Sequence, residues 1–69
     1  VFEAIPDLVA IARQDGDGFV RALAIKALVS LRATEARDAL QHLAATAEDR
    51  LVLDAARQAL ATLPAPPLD

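Results

Sequence analysis

The chain has 69 residues, a formal net charge of −3 and no cysteine. That length allows one small domain, which buries only about 60% of the surface its unfolded chain exposes. The cysteine count excludes disulfides and Cys-based zinc sites, and the acidic balance speaks against a phosphate-backbone partner, which basic patches recognise.

Seventeen alanines and eleven leucines, against Phe2 and Phe19 as the two aromatic residues, favour helix over strand. The apolar spacing predicts four helices in chain order. The first runs from about Ala4 to Gln14, with Pro6 in its first turn, where a missing N–H costs nothing. Ile5, Leu8, Ile11 and Ala12 form its inward stripe. Asp15-Gly16-Asp17-Gly18 breaks it, with Gly16 suited to a left-handed closing residue and Asp17 to capping the next helix.

The second helix spans about Phe19 to Leu31, with Val20, Leu23, Ala24, Ala27, Leu28 and Leu31 as its core stripe. Arg32-Ala33 reads as a tight turn, and Thr34 as the N-cap of a third helix from Glu35 to Ala47 that buries Ala36, Leu40, Leu43 and Ala44. Asp49 caps a fourth helix, from Arg50 to Leu63, buried through Val52, Ala56, Ala59, Leu60 and Leu63. Pro64, Pro66 and Pro67 stop it, and Pro64 to Asp69 is expected as an extended tail. Connections of two to four residues make consecutive helices antiparallel neighbours. The expectation is an all-α domain over residues 1–63, built from two stacked antiparallel hairpins, followed by the tail 64–69.

Residues 3–31 return as residues 35–63, offset by 32, with ten identities in 29 aligned positions and no gap. The matches include Leu8/Leu40, Asp17/Asp49, Val20/Val52, Ala24/Ala56, Ala27/Ala59, Leu28/Leu60 and Leu31/Leu63. A period of this size marks a repeat array. Ala4-Ile5-Pro6-Asp7-Leu8, then Asp15-Gly16-Asp17-Gly18-Phe19-Val20-Arg21, then Ala24, Ala27-Leu28 and Leu31 resemble a HEAT repeat of the short bacterial type also found in phycobilin lyases. The second copy keeps the apolar frame but has Leu53 where Arg21 stands and Ala47 where Asp15 stands.

The resemblance implies a right-handed α-solenoid segment. It also implies a structural ladder in which Asp17 pairs with Arg21 and Asp49 receives Arg21 from the neighbouring repeat; Leu53 cannot extend it. The function implied is a non-catalytic protein–protein interaction or scaffold module in the cytoplasm, part of a longer array. Its partner is another protein or a further copy of itself, joined through the first hairpin. The alternative is a regulatory or substrate-holding domain of a larger enzyme.

In such arrays the second helix of each hairpin lines the concave face. Ala22, Ile25 and Val29, with Lys26 alongside and Arg57 on the fourth helix, are the candidate partner-binding residues. The competing reading packs the apolar three against a neighbouring helix. His42 is the only histidine and Asp38, one turn away, its only acidic neighbour, so a metal site is not expected. Asp15 and Asp17 sit in a loop too short to supply the oxygens calcium needs; capping and turn formation explain both. Ser30, the only serine, has no histidine nearby, and no Gly-rich phosphate loop follows a strand. No catalytic residue and no cofactor are expected.

Overall fold

The structure is a computed structural model and describes residues 4–63. Four α-helices follow one another: α1 Ala4–Gln14, α2 Gly18–Ser30, α3 Arg37–Thr46 and α4 Arg50–Thr62. A 3₁₀ turn, Thr34–Ala36, leads into α3. The segment is all-α and solenoid-like, as the periodicity implies. The Pro-rich tail and Val1, Phe2 and Glu3 lie outside the described residues.

The α2 and α4 starts have one cause each. Asp17 is extended, at φ −107° and ψ 114°, and its carboxylate accepts the Phe19 N–H at 2.9 Å. Asp49 does the same for α4, accepting the Leu51 N–H at 2.8 Å and the Val52 N–H at 3.4 Å. Each carboxylate satisfies N–H groups that the first turn leaves without helical partners. Asp15 holds the preceding bend by accepting the Asp17 N–H at 2.8 Å.

Two expected details differ. Gly16 has no positive φ; the left-handed residue is Arg32, at φ 54°. Arg32 sits where α2 closes. The Ala33 N–H reaches back to the Leu28 carbonyl at 3.0 Å, and the Arg32 N–H to the Val29 carbonyl at 2.9 Å. This paired closure needs one left-handed residue just past the helix, whatever its type. Thr34 does not cap α3. It opens the 3₁₀ turn, and the cap position falls on Ala36, which offers no side-chain acceptor. The tighter winding places Ala33 and Ala36 in the core.

The two hairpins, α1/α2 and α3/α4, meet chiefly along α2 and α4, while α1 and α3 touch little. The core between them is wholly apolar among the described residues. Ile25, Leu28, Leu40 and Val52 are its largest fully buried side chains, each worth about 1.5–3 kcal/mol of apolar burial. Eight of the fourteen buried residues are alanines. Val52, Ala56, Ala59 and Leu63 are buried as expected, with Leu60 half-buried. In the first repeat Ala24 and Leu28 are buried, but Val20, Leu23 and Leu31 are exposed. Val20 and Leu31 lie on the side of α2 turned away from α4, and Leu23 lies at the outer edge of the seam between α2 and α4.

Candidate functional site

Alanines at 22, 55 and 59 bring α2 and α4 close, so that only a shallow groove runs between them on the outer face. At one end, Phe19 and Leu23 of α2 face Leu51 of α4 across a hollow of about 180 Å³. These are the large exposed apolar side chains of this face, at 59%, 49% and 52%. Lys26, Ala55 and Gln58 continue the groove into a second hollow of about 120 Å³ between Val29 and Thr62. Both hollows fall short of the roughly 300 Å³ at which small-molecule pockets begin.

Of the expected binding residues, Lys26 lies exposed on this groove and Val29 is half-buried at its far end. Ala22 and Ile25 are core: Ile25 is fully buried against α4. The reason is geometric, because α2 is apolar around most of its circumference and α4 covers the side that carries Ala22 and Ile25. Arg57 is exposed but does not line the groove. Phe19 and Leu51 were not among the expected residues. The signal for them is that they match across the repeat, each one residue ahead of the matched valines Val20 and Val52 and each apolar at a first-turn position.

At the loop end of the hairpins, Arg21 and Asp49 line a common hollow of about 510 Å³ with Arg13, His42, Thr46 and Glu48. The expected ladder does not close there. Arg21 Nε donates instead to the Ala12 carbonyl at 2.8 Å, tying α2 to the end of α1. The Asp49 carboxylate caps α4 and lies directly against Gly18, so closely that a Cβ on Gly18 would overlap it. Asp17 caps α2 and is not paired with Arg21. Among the described residues the one ion pair is Arg50–Asp54, at 3.2 Å on the surface of α4. Arg37 takes a role the sequence did not suggest: Nη1 donates to the carbonyls of Leu63 at 3.0 Å and Leu60 at 3.4 Å, closing the end of α4. A cation there also meets the negative end of the helix dipole.

Among the described residues no polar or charged side chain is buried, and no group of three or more His, Cys, Asp or Glu converges to hold a metal. His42 is exposed, and no hydrogen bond joins it to Asp38. No helix among these residues is long and apolar enough to cross a membrane. The arrangement offers a surface of shape and apolarity.

No curated protein and no solved structure matches the chain. A family model described as HEAT repeats matches residues 3–61. That span covers both helical hairpins up to the last residue of α4, and the chain belongs to the HEAT-repeat family.

Proposed function

We propose that this chain is a non-catalytic interaction module that binds a protein partner through the α2/α4 groove, as part of a longer HEAT-like array in the cytoplasm. HEAT repeats generally mediate protein–protein interaction or scaffolding. The observation that carries the reading is the trio Phe19, Leu23 and Leu51, exposed together around a shallow groove whose rim holds Lys26, Asp54 and Gln58. Large apolar side chains clustered within a polar rim are what a docking surface needs.

The test uses peptides selected from an unbiased displayed library against the folded chain. Backbone amide shifts on peptide addition should move at Phe19, Lys26, Leu51 and Gln58, and Leu51→Asp should weaken binding at least about tenfold. Peptides that ignore Leu51→Asp and shift only the loop-end hollow around Arg13 and His42 would refute the reading. Ile25→Asp is no test of binding, because a charge at a fully buried position unfolds the chain.

A further inference from the structure

Both glycines of the chain follow an aspartate, in Asp15-Gly16 and Asp17-Gly18, at the turn between α1 and α2. Glycine has no Cβ to shield its amide nitrogen. An Asp-Gly peptide is therefore where the backbone most readily attacks a side-chain carboxyl group. The two carboxylates are held alike: Asp15 accepts the Asp17 N–H at 2.8 Å, and Asp17 accepts the Phe19 N–H at 2.9 Å. Their surroundings differ. Gly16 is exposed, lies outside any helix and has open space where a Cβ would stand. Its N–H donates no hydrogen bond among the described residues. Gly18 is the first residue of α2 and lies against the Asp49 carboxylate. Asp17, at ψ 114°, holds the Gly18 nitrogen away from its own side chain. Turning that peptide would release the Phe19 N–H and move the start of α2 where it packs on Asp49.

We infer that Asp15-Gly16 is a self-modification site, at which the folded chain converts Asp15 to isoaspartate while Asp17 is protected. The Gly16 amide nitrogen attacks the Asp15 side-chain carboxyl carbon. A C–N bond forms, and the carboxyl hydroxyl leaves as water with the amide proton. Water then opens the five-membered imide at either carbonyl and returns a proton to the nitrogen. Opening at the side-chain carbonyl restores Asp15. Opening at the main-chain carbonyl leaves the backbone running through Cβ. One water is lost, one is regained, and nothing is oxidised or reduced.

The carboxyl group that held the Asp17 N–H then becomes part of the main chain, and the turn gains one carbon between α1 and α2. The hold on the Asp17 cap is lost, and the first hairpin loosens at the end where Arg21 is tied to Ala12. The altered residue presents a free α-carboxylate beside a β-linked peptide. That is the group which L-isoaspartyl carboxyl methyltransferases esterify, and such an enzyme is the partner this turn would take.

Incubating the folded chain at mildly acidic pH, where a fraction of the carboxyl group is protonated and its hydroxyl can leave, provides the test. Trypsin cuts after Arg13 and Arg21 and releases both pairs in one peptide, Gln14 to Arg21. Electron-transfer fragmentation, which breaks the Cα–Cβ bond of a β-linked residue, tells isoaspartate at 15 from isoaspartate at 17. Position 15 should convert at least about fivefold faster than position 17, the factor that opening one N-cap imposes. In urea the two rates should converge. Gly16→Ala has room to fold and should suppress conversion at 15. The methyltransferase with a labelled methyl donor should label the aged chain and not the aged Gly16→Ala variant. The isoaspartate form, separated by chromatography, should melt about 4 °C lower or more. No isoaspartate at 15 in the folded chain, or equal rates at 15 and 17, would overturn the inference. An isoaspartate form that melts at the original midpoint would overturn the part given to Asp15 in holding the turn.

Discussion

Gly18→Ala should destabilise the chain, although Gly→Ala near a helix start ordinarily does the opposite. The gain of such a replacement comes from the unfolded state and is about 0.4–1 kcal/mol where the backbone conformation is compatible. Neither glycine has a positive φ. Gly16 has open space around a built Cβ, so Gly16→Ala should collect that gain. At Gly18 the Cβ would overlap the Asp49 carboxylate, which is holding the Leu51 and Val52 N–H groups. The carboxylate must move, and losing an N-cap of this kind costs about 1 kcal/mol. The two alanine variants should therefore differ by about 1 kcal/mol, or about 4–8 °C in thermal midpoint for a domain of this size. Circular dichroism melts of Gly16→Ala, Gly18→Ala, Asp49→Ala and the Gly18→Ala/Asp49→Ala pair complete the cycle. With the cap already gone, Gly18→Ala should stabilise as Gly16→Ala does. A Gly18→Ala midpoint as high as that of Gly16→Ala in the unmodified background would refute the contact across the hairpins.

Arg32→Gly should stabilise by about 1 kcal/mol, because a left-handed φ costs a non-glycine residue that much; urea midpoints check it, and a loss would mean the Arg32 side chain is contributing elsewhere. Arg37→Met keeps the apolar stem but removes the donors to Leu60 and Leu63, and should cost about 1.5 kcal/mol. Arg50→Ala removes a surface ion pair and should cost less than about 0.5 kcal/mol, so equal losses for these two arginines in parallel melts would count against the capping role of Arg37. Leu40→Ala empties a fully buried position at about 2–5 kcal/mol. That is a large part of the total stability of about 3–10 kcal/mol expected at this length. The variant should therefore show a broad, early loss of helicity by far-ultraviolet dichroism, and a sharp transition at the original midpoint would exclude Leu40 from the core.

Most of the local structure was legible because its causes are local. Asp17 and Asp49 cap the helices their spacing marks, and α1 runs from Ala4 to Gln14 as its stripe predicts. The misses have nonlocal causes. No property of arginine marks residue 32 as left-handed; the paired hydrogen bonds that close α2 require it there. Leu23 and Ala55 occupy one repeat position, yet the smaller residue is buried and the larger is not, because a hairpin lies on one side only. The choice between the two apolar sides of α2 was likewise undetermined by its own sequence. It was written in the comparison with α4, where the side carrying Ala22, Ile25 and Val29 is matched by Asp54, Arg57 and Ala61. The groove residues Phe19 and Leu51 were hidden for the same reason, since exposure follows from which neighbours are present.

The alanine seam between α2 and α4 has a consequence for recognition. Alanine has no rotamers to lose, so Ala55 and Ala59 form the floor of the groove without side-chain entropy cost, and a partner arriving there freezes nothing. The rim is the reverse: Lys26 and Leu51 are exposed, so a partner that orders them removes side-chain rotamer freedom. A fixed floor sets the distance of approach for any partner helix or strand, while the rim adapts to its side chains. Replacing the floor by larger residues would change which backbones can come close; changing the rim would alter which sequences they carry.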